Sequence, residues 1–308
     1  MTNTGLPTRI LGRTGLEVTR LGYGAMSLDD RFGRVIPPDE ATRILNAVLD
    51  AGINYIDTSP DYGPSEELIG QAIAHRRREY FLATKCGCPV SLEAGAGHVY
   101  TPENIVAAVE QSLRRMRTDY LDVVQFHGNP SMATLEEQGA IEALRGLQRT
   151  GTVRVIGMSG TGERLRAQIA SGVFDVLQIP YSALQREDEG AIGLAATAGA
   201  GTVIRGGVAR GAPSEEKAWG IRRLPEVPEE RPRALWEAAH LDDLIEGESR
   251  MGFTLRFTLS HPDVHTTIVG TANLDHLRGN LEAVGRGPLA ADLYAEAKRR
   301  LDEAAAVT

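Results

Sequence analysis

Stretches rich in apolar and β-branched residues alternate with helical patterns along almost all of this 308-residue chain. Eight of these stretches are strand candidates, at residues 20–23, 55–58, 80–84, 121–126, 153–157, 173–179, 202–204 and 266–269. Several, such as 121–126, are continuous apolar runs, which are typical of strands covered on both faces of a parallel sheet. The alternation therefore predicts an α/β fold with a parallel sheet.

The segments between the strands carry apolar residues at helical spacing. Residues 39–50 place Ala41, Ile44 and Val48 on one stripe. Thr101 and Pro102 begin another predicted helix, as an N-cap followed by a proline at the first helical position. The other helix candidates are residues 135–149, 163–170, 187–198, 250–259, 274–284 and 289–305.

Eight strands, most of them followed by a helix, predict one (β/α)8 TIM barrel over residues 1–308, with long βα loops at the carboxyl ends of its strands. Residues 211–232 are predicted to be such a loop. The alternative is an open doubly wound sheet, which usually has Gly-x-Gly-x-x-Gly after its first strand. The segment from Gly22 to Met26 lacks the third glycine, and no amphipathic helix follows it.

Composition excludes several classes of protein. A net charge of -8 and 5% aromatic residues argue against a nucleic-acid partner. Two cysteines, Cys86 and Cys88, do not frame a secreted disulfide module and are too few for a zinc site of cysteines alone, so we expect no metal. Residues 1–9 lack a signal peptide's apolar stretch, and the longest uncharged run, 190–204, is too short for a membrane span. We expect a cytoplasmic protein with no membrane partner; an oligomer is compatible with the sequence.

Four proton-handling side chains follow three successive predicted strands. Asp57 and Tyr62 follow the second strand, Lys85 the third and His127 the fourth. Because the carboxyl ends of barrel strands meet at one mouth, we expect these side chains to converge there. Each has an ordinary structural explanation when taken alone, but their joint placement favours a catalytic set.

Such a set suits hydride transfer to a carbonyl. The carbonyl oxygen gains negative charge and needs an acid close by. Free tyrosine has a pKa near 10, and a neighbouring ammonium favours its ionised form. Lys85 would supply that ammonium, Asp57 would hold it charged, and Tyr62 would be the acid. His127 would orient the carbonyl, and a cofactor must bring the hydride, since no side chain can.

Several segments together resemble the aldo-keto reductase superfamily. Residues 53–63 are similar to its aspartate–tyrosine segment, 83–85 to its catalytic-lysine strand and 119–127 to its catalytic-histidine strand. Similarity extends from about residue 8 to residue 284 and is greatest to bacterial members with a short C-terminal tail. The resemblance implies an NAD(P)H-dependent oxidoreductase that reduces small aldehydes, ketones or sugars, with the roles given above for Asp57, Tyr62, Lys85 and His127.

The same resemblance implies a set of cofactor contacts. Ser159, Gly160 and Gln178 would hold the nicotinamide amide, with Gly160 in place of the usual Asn, and Tyr181 would stack on the nicotinamide ring. Gly270 and His276 stand where the family often has basic residues, but NADP remains favoured over NAD. The other implied contacts are Gly24, Ala25, Met26, Arg205, Gly206, Gly207, Val208, Arg210, Thr271, Ala272, Asn273 and Asn280.

Two other functions remain open at this stage. Lys85 at a barrel strand end is also the position of a Schiff-base lysine in an aldolase, which needs no nicotinamide. The resemblance further includes redox-sensing subunits that bind NADPH with low turnover.

Overall fold

The centre of the molecule is a closed barrel of eight parallel strands, preceded by a short antiparallel hairpin. The structure is a computed structural model that describes residues 5–29, 35–90, 97–213 and 231–306. The hairpin strands are β1 (Thr8–Ile10) and β2 (Glu17–Thr19). The barrel strands are β3 (Leu21–Gly24), β4 (Tyr55–Asp57), β5 (Phe81–Cys86), β6 (Leu121–Phe126), β7 (Val153–Ser159), β8 (Val176–Pro180), β9 (Gly201–Arg205) and β10 (Thr266–Val269). Spatial order follows chain order, and β10 closes the barrel against β3, so the predicted (β/α)8 TIM barrel is confirmed.

Helices cover the outside of this barrel. They are α1 (Pro38–Asp50), α2 (Ser65–Ile73), α3 (Pro102–Met116), α4 (Met132–Glu137), α5 (Ala140–Arg149), α6 (Gly162–Ala170), α7 (Glu189–Thr197), α8 (Arg231–Ala238), α9 (Arg250–Ser260), α10 (Leu274–Gly285) and α11 (Ala291–Ala305). Within the described ranges, no helix has both the length and the apolar composition needed to span a bilayer.

Four details differ from the sequence prediction, and the first is the hairpin β1–β2, which was not predicted. The helix α2 was not predicted. The single helix expected over 135–149 is two helices, because Gly139 has φ 72° between α4 and α5. The loop predicted at 211–232 lies mostly outside the described residues, and α8 already begins at Arg231 within it.

The hairpin closes the amino end of the barrel. Its side chains Leu11, Leu16 and Val18 pack against a ring of residues that point into the barrel. That ring consists of Tyr55, Ala83, Val123, Val155, Val176 and Val203. The approach is close: a Cβ added at Gly12 would lie 2.3 Å from the Gly201 nitrogen. The bottom of the barrel is therefore an apolar plug.

Two residues further along four of these strands, the interior becomes polar. Successive strand residues alternate between the two faces, so Asp57 follows Tyr55 inward and Lys85 follows Ala83. Gln125 and Gln178 hold the equivalent positions on β6 and β8. All four polar side chains are buried. The apolar plug therefore supports a polar layer that faces the carboxyl end of the barrel, where the predicted site lies.

Candidate active site

A buried ion pair forms the floor of the site. Lys85 Nζ lies 2.8 Å from Asp57 Oδ2 and 2.7 Å from the Thr58 carbonyl oxygen, to both of which it donates. The amides of Gln125 and Gln178 donate to the other oxygen, Asp57 Oδ1, at 2.9 and 2.8 Å. Lys85 and Asp57 are each only 1% exposed. One carboxylate thus connects side chains from four strands, and both of its oxygens accept hydrogen bonds.

This environment keeps the lysine charged. Burial by itself would lower the pKa of Lys85, but the charges of Asp57 and Tyr62 and their hydrogen bonds outweigh burial and raise that pKa above its usual value. A buried charge is tolerated only when it is paired and hydrogen-bonded in this way. The site therefore contains a fixed ammonium group beneath its opening.

Tyr62 lies directly against this ammonium. Lys85 Nζ is 4.9 Å from the centroid of the Tyr62 ring. The loop after β4 holds the tyrosine in a turn, in which the Tyr62 N–H donates to Ser59 and its carbonyl accepts from the Ser65 N–H. Its side chain is partly exposed, in contrast to the buried lysine. Tyr62 is thus placed between a buried cation and the solvent-facing side of the site.

His127 completes the group at the end of β6. Its ring is perpendicular to that of Tyr62, with centroids 6.4 Å apart. The structure therefore brings together all four side chains that the sequence places on successive strands. Burial lowers the pKa of His127 below its usual value, against the opposing effect of a hydrogen bond that the Asp61 carboxylate accepts from the protonated ring, so the imidazole is neutral at pH 7.

Further polar residues surround His127. Asp61 Oδ2 lies 3.2 Å from His127 Nδ1 and 3.6 Å from His98 Nε2, and Cys88 Sγ is 3.5 Å from His127 Nδ1. Burial would raise the pKa of Asp61, but hydrogen bonds from His127 and Cys88 and the charges of the two histidines lower it to about 2. Sequence reasoning did not assign functions to Asp61, Cys88, His98 or Gln125. Of these four, only Gln125 could have been predicted from the sequence, because it is a polar residue at an inward position of an otherwise apolar strand.

The side chains proposed for the nicotinamide amide lie next to the ion pair. Ser159 Oγ donates to Gln178 Oε1 at 3.4 Å, and Gln178 uses its amide group on Asp57. A Cβ at Gly160 would lie 2.4 Å from Gln168 Oε1 and 3.2 Å from Asn129 Oδ1. The side chains of Gln168 and Asn129 therefore occupy the space that an Asn side chain would take at position 160.

The structure does not support the predicted role of Tyr181. This side chain is completely buried, and its ring contacts Phe257 and His261. Its hydroxyl pairs with Tyr294 of α11 at 2.9 Å and donates to Glu189. No face of the ring is exposed, so it has no surface on which a nicotinamide could stack. The reason is strand alternation: Gln178 points inward, and a residue three positions later points outward.

The remaining predicted contacts fall in three places. Arg210 is near Tyr62: burial lowers its pKa, and the charge of Tyr62 opposes that shift. Gly270 packs so tightly that a Cβ there would lie 2.3 Å from the Gly24 carbonyl oxygen, which explains the lack of a basic side chain at this position. The others follow three barrel strands: Ala25 and Met26 come after β3, Arg205 ends β9 and Gly206, Gly207 and Val208 follow it, Thr271, Ala272 and Asn273 lie between β10 and α10, and His276 and Asn280 lie within α10.

The start of α10 borders a groove that the sequence did not reveal. Asn273 caps this helix by accepting from the Asp275 N–H at 2.8 Å, and it is exposed. Ala272 and Asn273 line the groove from one side, and Glu40 and Arg43 of α1 line it from the other. A helix N-terminus with a nearby arginine is a favourable environment for a phosphate group.

Comparison with known proteins places the chain among reductases. The sequence profile of the Aldo/keto reductase family matches residues 20–301. The chain is 28% identical to the oxidoreductase YqkF of Bacillus subtilis (strain 168) over 290 residues, covering 89% of this chain and 90% of that protein. It is 27% identical to L-galactose dehydrogenase of Arabidopsis thaliana over 297 residues, covering 91% and 89%. Among solved structures, the holo form of aldo-keto reductase AKR11C1 from Bacillus halodurans is 30% identical, with a TM-score of 0.80 and 96% of each chain covered.

Proposed function

The chain belongs to the aldo/keto reductase family, and we propose that it interconverts small carbonyl compounds and their alcohols with a nicotinamide dinucleotide. The substrate class is small aldehydes, ketones or sugars, and the name of the L-galactose dehydrogenase relative makes sugars worth including. The observation that carries this proposal is the buried Asp57–Lys85 pair beneath Tyr62, with His127 beside it.

Each side chain has a defined task in this reaction. The bound reduced nicotinamide supplies the hydride. Tyr62 donates its hydroxyl proton to the carbonyl oxygen as negative charge develops there, and it takes a proton from the alcohol in the reverse direction. Lys85, 4.9 Å from the ring centroid, stabilises the tyrosinate that remains. Asp57 holds the ammonium in place. Neutral His127 orients the carbonyl oxygen by a hydrogen bond in the tautomer with its proton on Nε2, in which Nδ1 accepts from the Cys88 thiol.

The chain also offers a suitable surface for a dinucleotide. We propose that phosphate oxygens bind at the exposed first turn of α10, with Ala272 and Asn273, and that Ser159 and Gln178 hold the nicotinamide amide. Arg43 could pair with a phosphate across the groove from Asn273, but Glu40 lines the same side, so the preference for NADP over NAD rests on the family resemblance.

The ion pair argues against the Schiff-base alternative. An amine must be neutral to attack a carbonyl, so aldolase lysines have a lowered pKa. In this chain the pKa of Lys85 is raised, and Asp57 and the Thr58 carbonyl already bind its ammonium group.

Tyr62→Phe tests the proposal. The substitution removes the proton donor and keeps the ring, so we expect kcat for carbonyl reduction to fall by about 100- to 10,000-fold. The assay is the oxidation of NADPH with a panel of aldehydes, ketones and sugars. Phe at this position leaves the groove at α10 untouched, so dissociation constants for NADPH and NADH, measured by fluorescence titration, are expected to stay within a few fold of those of the wild type.

Two results would contradict the proposal. One is a Tyr62→Phe variant of undiminished rate, which would remove Tyr62 from proton transfer. The other is a wild-type chain that binds neither nucleotide. A chain that binds NADPH but turns over very slowly with every carbonyl would instead favour the redox-sensing alternative, and tighter binding of NADH than of NADPH would overturn the preference for NADP.

A further inference from the structure

Four side chains with metal-binding atoms meet on one side of the site. They are Asp61, Cys88, His98 and His127, and one ligand atom from each lies within 4.8 Å of all the others. Three of the approaches are 3.2 Å from Asp61 Oδ2 to His127 Nδ1, 3.5 Å from that nitrogen to Cys88 Sγ, and 3.6 Å from Asp61 Oδ2 to His98 Nε2. Asp61 comes from the loop after β4, Cys88 and His98 from the segment between β5 and α3, and His127 from the end of β6.

Three of these distances, 3.2, 3.5 and 3.6 Å, are close to those of a four-coordinate metal centre, and the others lie within 4.8 Å. Zinc binds nitrogen and oxygen at about 2.0–2.2 Å and sulfur at about 2.3 Å, which places the ligand atoms of a tetrahedron about 3.3–3.8 Å apart. We propose that Asp61 Oδ2, Cys88 Sγ, His98 Nε2 and His127 Nδ1 form a binding site for a Zn²⁺ ion.

The chemistry of the ligands selects the type of metal. Two imidazoles and a thiolate suit a borderline-soft ion such as Zn²⁺, whereas Mg²⁺ and Ca²⁺ prefer shells of oxygen atoms. The aspartate and the thiolate together neutralise the two positive charges of the ion. On binding, the Cys88 S–H bond breaks as the Zn–S bond forms, and the proton passes to the buffer.

The structure already holds the ligands in place through their neighbours. Asn104 donates to the Cys88 carbonyl at 3.1 Å, and the Tyr100 hydroxyl donates to the His127 carbonyl at 2.6 Å. The His98 ring also stacks on the Tyr100 ring, with an interplanar angle of 10°. These contacts fix the backbone at Cys88 and His127 and the ring plane of His98, so less ordering is left for the ion to impose.

A metal at this position is compatible with the reaction proposed above. Coordination through Nδ1 leaves the ring proton of His127 on Nε2, the form that can donate a hydrogen bond to a carbonyl oxygen. The role of His127 toward the carbonyl rests on the proposed function, whereas the binding of the ion rests only on the geometry of its four ligands.

Metal titration of the full chain tests the site. After treatment with a chelator and its removal, the protein is titrated with Zn²⁺ in competition with a chromophoric chelator, and separately with Co²⁺, which reports geometry by absorption. We expect one equivalent to bind, and the Co²⁺ form to show thiolate-to-cobalt charge transfer and the visible bands of four-coordinate cobalt.

Matched variants separate this site from incidental binding. Since loss of a group that only supports a ligand costs about 10- to 100-fold in affinity, loss of a ligand costs at least about 100-fold. We expect that loss of Zn²⁺ affinity for His98→Ala, and the loss of the charge-transfer band for Cys88→Ser. Cys86→Ser changes a buried thiol outside the cluster, and His276→Ala changes an exposed histidine; both should bind as the wild type does. Circular dichroism checks that each variant is folded.

The inference is overturned if the wild type binds no equivalent of Zn²⁺ or Co²⁺, or if folded Cys88→Ser and His98→Ala bind as tightly as the wild type. Neither nucleotide nor carbonyl is present in the titration. A chain that reduces carbonyls but binds no metal would therefore refute the metal site and leave the proposed function standing, and the opposite pair of results would do the reverse.

Discussion

At the scale of single residues, the site depends on one carboxylate. Asp57 accepts hydrogen bonds from Lys85, Gln125 and Gln178, which come from three other strands. Gly157 makes room for this arrangement, because a Cβ there would lie 2.9 Å from the side chain of Gln125. The carboxylate is thus both the counter-ion of the proposed catalytic lysine and a link between barrel strands.

Asp57→Asn is expected to lower the free energy of unfolding by about 3–5 kcal/mol, because it leaves the buried Lys85 ammonium without a counter-ion. Lys85→Met should cost less, since the two glutamine amides still donate to the carboxylate. In the double variant neither charge remains, so we expect it to be more stable than Asp57→Asn alone. Urea unfolding of all four proteins measures this cycle, and a double variant that loses the sum of the two single effects would show that the charges are not coupled.

The sequence predicted part of the site for a reason visible in single residues. Asp57, Lys85 and His127 stand at strand ends, and strand ends in a closed barrel must meet. Tyr181 shows how such reasoning fails: its motif indicated a role, but its position relative to Gln178 turns it outward. Cys88 and His98 lie between β5 and α3, and strand and helix patterns do not specify how residues there approach His127.

At the scale of elements, regular patterns predicted the barrel strands and most helices, but not the features that depend on local backbone geometry. The break between α4 and α5 arises from the positive φ of Gly139. The hairpin β1–β2 has strands of only three residues, too short for a clear alternation. Its fit against β9 depends on two glycines in contact, Gly12 and Gly201.

Two glycines of this hairpin allow a controlled comparison. Gly12 and Gly15 both have positive φ, 52° and 74°, but a Cβ at Gly12 meets the backbone of β9, whereas Gly15 has nothing within 4 Å. We expect Gly15→Ala to cost about 1–2 kcal/mol of stability for its left-handed backbone. Gly12→Ala should cost about 1–3 kcal/mol more, from overpacking. Thermal or urea unfolding of both variants measures the difference, and equal losses would show that the hairpin does not press on β9.

At the scale of the whole molecule, three histidines link stability to pH. Burial lowers the pKa of His127, His261 and His265. The ring nitrogens of the last two also accept backbone N–H groups: His261 Nδ1 from Asp263 at 3.2 Å, and His265 Nδ1 from Thr202 at 3.1 Å. Protonation of either nitrogen removes that hydrogen bond, which also lowers the pKa of these two histidines in the folded chain.

The free energy of unfolding should therefore fall as the pH drops below about 6.5, where the unfolded chain begins to bind more protons than the folded one. Each histidine contributes up to about 1.4 kcal/mol per pH unit between its unfolded and folded pKa values. The raised pKa of buried Glu66 acts in the opposite direction at lower pH. Urea unfolding at pH 7.5, 6.5 and 5.5 measures the slope.

His265→Asn serves as the control for this pH dependence, because it keeps an acceptor near Thr202 but cannot titrate. Its stability should fall less steeply than that of the wild type. Equal slopes, or a wild-type urea midpoint that does not change between pH 7.5 and 5.5, would contradict the assignment.

The hairpin also affects how ligands enter and leave the barrel. In the part of the chain that the structure describes, Leu11, Leu16 and Val18 close the amino end of the barrel. Ligands are therefore expected to enter and leave at the carboxyl end. Two ligands that use the same opening cannot pass each other inside the barrel. Under the proposed function, a dinucleotide and a carbonyl compound would share this opening, so we expect them to bind and leave in a fixed order that steady-state kinetics would show.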